Sequence, residues 1–141
     1  MAIRSFLITL FCAAAVTACS ASQAAGPAGA TCDQFASTPS ITQSRTIEVG
    51  AELTVVLCSN PSTGFAWDEP QIADAALLEV VDRNYQAPDQ ATLPIIGAAG
   101  GDVLTVRGLE PGTTTLSLRY GQPWEGGAQG EWTYSLEVTV R

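Results

Sequence analysis

From Arg45 onward, apolar and polar residues alternate with the spacing of a strand that has one face in a core and one in solvent. The alternation is clearest near the end, where Trp132, Tyr134, Leu136, Val138 and Val140 interleave with Glu131, Thr133, Ser135, Glu137 and Thr139. Leu116, Leu118 and Tyr120 alternate likewise with Thr115, Ser117 and Arg119, and Leu53, Val55 and Leu57 form another apolar row. With Arg45 to Val49, Phe65 to Glu69, Leu77 to Arg83 and Val103 to Gly108, about seven strands are expected. Only Ile72 to Leu78, opened by Asp74 as a cap, has room for a helical turn or two. Short strands separated by turn residues predict an all-β fold, an immunoglobulin-like antiparallel β-sandwich.

If successive strands alternate in direction, every second connection emerges at the same end, so residues 59–64, 84–101 and 121–130 share one face. The first holds Asn60-Pro61-Ser62-Thr63-Gly64-Phe65, followed by Ala66-Trp67. Pro61 presets φ, Asn60 can bond its own backbone two residues on, and Gly64 supplies a position with φ > 0. The expected result is a stiff turn with Ser62 and Thr63 at its tip, small and uncharged enough to enter a narrow cleft without burying a charge. Taken alone, the same residues also suit an ordinary structural turn. The second connection is long and contains Gly97-Ala98-Ala99-Gly100-Gly101. The third carries Gly121-Gln122-Pro123-Trp124, and Trp124 either folds over the core edge or stands out as an aromatic binding anchor.

The 141 residues suit one domain behind a leader. Residues 1–18 carry Arg4 near their start, run through an apolar stretch and reach small residues, the layout of a secretory signal peptide too short to span a membrane. Val16-Thr17-Ala18-Cys19 resembles a bacterial lipobox, so Cys19 is expected to carry lipid and become the mature N-terminus, with Ser20 favouring the outer membrane. Plain secretion after a later site such as Ala28-Gly29-Ala30 is the other reading. Residues 19–31 are then the lipidated Cys and an uncharged flexible tether, and residues 32–141 form the domain. With Cys12 in the leader and Cys19 acylated, Cys32 and Cys58 remain as a pair, oxidised in the envelope or left as two buried thiols.

Composition narrows the chemistry. The six basic residues are all Arg, and His is absent, which excludes imidazole metal sites, Ser–His and Cys–His pairs and Schiff-base lysines. Asp68 and Glu69 adjoin the turn, but neighbouring strand residues face opposite ways and make no acid/base pair, so no enzyme, metal or cofactor is expected. Without Arg4, five basic side chains stand against fourteen acidic ones, a net of −9 that repels nucleic acid.

In this order, across roughly residues 45–140, the three loops resemble those of the chagasin-type inhibitors of papain-like cysteine peptidases, which carry N-P-T-T-G-[FY], G-x-G-G and R-P-[WF]. Asn60 to Phe65 fits the first motif with Ser62 for Thr, Gly97 to Gly100 fits the second with Ala99 for Gly, and Gln122-Pro123-Trp124 fits the third with Gln for Arg. The resemblance implies a monomeric immunoglobulin-like inhibitor that plugs the active-site cleft reversibly. It sets Ser62 and Thr63 over the catalytic Cys and His of the peptidase, the Gly97–Gly101 stretch along the cleft, and Trp124 on an enzyme aromatic. An envelope-anchored binding module for another protein or a glycan is the alternative on the same scaffold.

Overall fold

The computed structural model describes residues 26–89 and 97–141. The expected signal sequence, Cys19 and most of the expected tether lie outside them, as do residues 90–96 of the second loop. The described strands are β1 (Ala28–Ala30), β2 (Ser40–Ile47), β3 (Glu52–Ser59), β4 (Ala66–Trp67), β5 (Gln71–Ile72), β6 (Leu78–Gln86), β7 (Gly100–Gly108), β8 (Gly112–Gly121) and β9 (Trp132–Val140). They form two sheets, β1-β3-β7-β6 and β2-β9-β8-β4, with β5 also paired to β8. The inward rows read from the sequence close the core: Leu53, Val55 and Leu57 meet Leu116, Leu118, Tyr134, Leu136 and Val138, each at most 1% exposed.

The sandwich expected from the alternation is present, but its sheets are mixed. β1 runs parallel to β3, and β2 runs parallel to β9. Both parallel strands precede Arg45 at least in part, where the sequence shows no alternating pattern, and both lie on sheet edges. Residues 28–30, expected from the sequence to belong to a flexible tether, are thus part of a sheet. Ala28 and Ala30 are buried against Val55 and Leu57, and small side chains are what fit there.

A short helix, α1 (Cys32–Ser37), was not expected. Six residues are too few to show helical periodicity or to be stable alone. A reciprocal cap starts it: Thr31 Oγ1 accepts from Gln34 N at 3.3 Å, and Gln34 Oε1 accepts from Thr31 N at 2.8 Å. Packing holds it, with Phe35 fully buried, stacked on Trp132 at 5.0 Å and tilted against Trp67 at 5.3 Å. Between Ile72 and Leu78 there is a turn instead of a helix, in which Asp74 Oδ1 accepts from Ala76 N at 3.0 Å.

Polar side chains also join the sheets. The Gln43 side-chain amide takes the place of a neighbouring strand for Gly29, accepting from its N–H at 3.0 Å and donating to its carbonyl at 2.9 Å. Arg83 reaches from β6 to Asp102 on β7 (2.6 Å) and donates to the Trp67 and Asp68 carbonyls of the other sheet, both at 2.9 Å. The Asp102 hydrogen bond holds the Arg83 guanidinium above its usual pKa, so this clamp stays charged.

Candidate functional site

The three connections do emerge together. β3 climbs to Ser59 opposite Gly100, β6 ends at Gln86 opposite Gly101, and β4 starts at Ala66 opposite Gly121. The second loop is shorter than residues 84–101, because β6 continues to Gln86 and β7 already begins at Gly100. Gly100 and Gly101 therefore belong to the ladder. A Cβ on Gly100 would lie 2.6 Å from the Tyr85 hydroxyl, so the close approach of β6 requires glycine there.

The first loop has the stiffness its residues forecast. Pro61–Thr63 form a single 3-10 turn, closed by Thr63 N to Asn60 O and Gly64 N to Pro61 O, both at 3.1 Å. Gly64 ends it with φ +79°, a left-handed conformation that glycine adopts at no steric cost. Asn60 works differently from the expected Asx turn. Its Oδ1 accepts from Ser62 Oγ at 2.6 Å, its carbonyl accepts from Thr63 Oγ1 at 2.6 Å, and its Nδ2 donates to Gly97 O at 2.7 Å. Both tip hydroxyls are thus bonded within the turn, and the first loop is tied to the second. Pro61, Ser62 and Thr63 are exposed, whereas Phe65 turns inward and stacks on Tyr120 at 5.7 Å.

In the third loop Trp124 is 50% exposed, and its ring lies over the first loop: a Cβ on Gly64 would come within 2.7 Å of Trp124 Cη2. The ring contacts a neighbouring loop, and it also keeps half its surface free. Pro123 beside it is exposed. Gln122 is a clasp, which the sequence did not indicate. Its N–H donates to Ala128 O at 2.7 Å, its Oε1 accepts from Ala128 N at 3.0 Å, and its carbonyl accepts from Gln129 Nε2 at 2.6 Å. Gly97 is exposed, and Ala98 and Ala99 are half-buried, with Ala99 packed against the core.

The Cys32–Cys58 disulfide is formed, with Cα atoms 5.1 Å apart, and it ties α1 to β3 two residues before Asn60. Asp68 Oδ1 accepts from Arg119 N at 2.7 Å, and the Glu69 side chain is 90% exposed, so the two carboxylates serve no common point. Among the described residues no group of His, Cys, Asp or Glu could hold a metal ion, and no helix is long and apolar enough to cross a membrane.

Residues 46–138 match the model of the chagasin family peptidase inhibitors, I42. Chagasin of Trypanosoma cruzi is 32% identical over 84 residues, 57% of this chain and 74% of that protein. Amoebiasin-2 of Entamoeba histolytica is 30% identical over 87 residues, 62% of this chain and 68% of that protein. Among solved structures, a cysteine protease inhibitor from Entamoeba histolytica has a TM-score of 0.62 at 21% identity, covering 82% of this chain and 96% of that one. PbICP-C in complex with falcipain-2 has a TM-score of 0.54 at 20% identity, covering 72% and 89%. The fold, the turn at residues 60–64 and the match over residues 46–138 agree: this chain belongs to the chagasin family of peptidase inhibitors.

Proposed function

We propose that the protein is a reversible inhibitor of papain-like cysteine peptidases, acting as a monomer through the end of the sandwich that carries residues 59–65, 97–101 and 121–124. The observation that carries this reading is the exposed Ser62-Thr63 tip, whose two hydroxyls and Thr63 N–H are already bonded to Asn60. Such a tip can enter a desolvated cleft with those three donors already partnered and no charge to bury, and little freedom is left for binding to remove. The same bonds explain how it would escape cleavage. The peptide between Ser62 and Thr63 is held in a 3-10 turn, and an attack geometry misplaced by even 1 Å can cost about 10²-fold in rate. Trp124 adds half of an exposed indole, of the residue type most enriched at interface hot spots.

Titration of papain with the full-length protein tests the reading. Competitive inhibition with a one-to-one end point is expected, with no effect on serine peptidases. Thr63→Arg should weaken inhibition by about 3 to 5 kcal/mol, the scale of an unpaired buried charge, with folding intact because the side chain is exposed. Full papain activity at micromolar inhibitor, and the same with cathepsin-like enzymes, would refute it and favour a binding module for another protein or a glycan.

The lipobox-like Val16 to Cys19 and the uncharged residues behind it support a lipid anchor at Cys19 in a bacterial envelope, with the outer membrane favoured. The mature protein should partition with membranes, and Cys19→Ser should release it. A mature N-terminus downstream of Cys19 without lipid mass would end that proposal.

A further inference from the structure

Asn60 is the residue at which the first loop leaves the sheet. Ser59 is the last residue of β3 in the ladder, opposite Gly100, so the Asn60 N–H has passed beyond the strand partners that serve its predecessors. Its partner comes from the other sheet: the N–H donates to the Tyr120 hydroxyl at 2.9 Å. Tyr120 lies on β8, sixty residues away in sequence and 4% exposed. Its ring cannot swing, because Trp132 stacks on it at 4.8 Å, Trp67 tilts against it at 5.0 Å and Phe65 stacks at 5.7 Å. The hydroxyl is therefore a fixed point of the core, offered to the backbone atom from which the turn starts.

The remaining polar atoms of Asn60 all face the loops. Oδ1 and the carbonyl hold Ser62 and Thr63, and Nδ2 holds Gly97 of the second loop. Asn60 thus fixes the internal shape of the tip, but none of those bonds attaches the tip to the sandwich. The Tyr120 bond does, from the sheet opposite β3. Asn60 has φ −133° and ψ 84°, outside both the ladder and the 3-10 turn, so a rotation there would re-aim Ser62-Thr63 as a unit without breaking the turn.

We propose that Tyr120 is the positioning residue of the inhibitory turn, its hydroxyl fixing the Asn60 amide and with it the angle at which Ser62 and Thr63 meet the peptidase. This rests on the reading of residues 60–64 as the peptidase-facing wedge. Tyr120→Phe keeps the ring stack and removes only the acceptor of the Asn60 N–H. Tyr134→Phe is the matched control: it also removes a buried hydroxyl from the same sheet, one that donates to Gln43 Oε1 at 2.9 Å and has no contact with the turn.

The test measures the papain Ki, the unfolding midpoint and the amide exchange of Asn60 for the full-length protein and both variants. Tyr120→Phe is expected to raise Ki tenfold or more and to speed Asn60 exchange at least tenfold, while Tyr134→Phe lowers the midpoint comparably and leaves Ki and Asn60 exchange unchanged. An unchanged Ki for Tyr120→Phe, or an equal rise in both variants, overturns the proposal, since the hydroxyl would then be only a stability contact. If the unmodified protein fails to inhibit any papain-like enzyme, the functional reading falls separately, and Asn60 exchange still judges the anchor: unchanged exchange in Tyr120→Phe overturns it.

Discussion

Gly64→Ala perturbs two things that the structure separates. The first is the backbone: Gly64 sits at φ +79°, where an L side chain costs roughly 1 kcal/mol or somewhat more. The second is contact, because the new methyl carbon would lie 2.7 Å from Trp124 Cη2 and 3.3 Å from Cζ3, inside the roughly 3.5 Å at which carbons pack without repulsion. Overpacking in a closed core costs about 1 to 3 kcal/mol, but this ring is half-exposed and can retreat, so the low end applies. Gly64→Ala should therefore cost about 2 kcal/mol in the intact protein and about 1 kcal/mol in a Trp124→Ala background, where only the backbone term survives. Denaturant unfolding of the two single variants, the double variant and the parent gives the coupling directly. Papain inhibition of the same four proteins should be non-additive too, since a retreating indole leaves the surface that the first loop shares with it. Equal costs in both backgrounds, within the roughly 0.5 kcal/mol of ordinary additivity, would show that Trp124 does not rest on Gly64.

Replacing both Cys32 and Cys58 by Ala should lower unfolding free energy by about 3.5 kcal/mol, the loop-closure value for a chain of this separation, read as a shift of the denaturant midpoint. An unchanged midpoint on reduction would contradict it. Gln122→Arg restores a residue of the family pattern, yet it removes the acceptor of Ala128 N, so it should loosen the third loop by about 1 kcal/mol and weaken papain inhibition; tighter binding would show that the clasp is dispensable. Burial pushes the Tyr134 hydroxyl up to about 12, partly offset by Arg45, against about 10 in the unfolded chain. The unfolded state then releases its proton first, so stability should fall by at most about 3 kcal/mol between pH 10 and pH 12, and Tyr134→Phe should abolish that slope.

Where residues announce their own geometry, the sequence was readable. The alternation of β8 and β9 named their core faces because a half-buried strand must repeat every second residue. The turn at Asn60 was legible because Pro61 and Gly64 constrain φ locally, and the disulfide because cysteine arithmetic left one pair. What stayed hidden depends on distant partners. The Ala-Gly-Ala of β1 has no pattern and becomes a strand only through the edge of β3 and the amide of Gln43. α1 is too short for periodicity, although Thr31 and Gln34, three apart, spell its cap in the sequence. Gln122 looked like a missing Arg contact, and only the folded loop reveals its bonds to Ala128 and Gln129.

The same division separates the tip of the site from its foundation. Ser62 and Thr63 are held by bonds spanning at most three residues, so a short peptide of this sequence contains every group needed to draw the turn. A peptide would still lack what makes the turn a wedge. Its amide anchor is Tyr120, its lateral tie is Gly97, the indole over Gly64 comes from Trp124, and the strand that follows it is clamped to the other sheet by Arg83. Each of these contacts joins residues separated by 16 or more positions, and those of Tyr120 and Arg83 also cross from one sheet to the other. Binding strength at this end should therefore track the integrity of the sandwich more closely than the loop sequence alone would suggest, because the freedom the loops lose on docking has already been removed by folding.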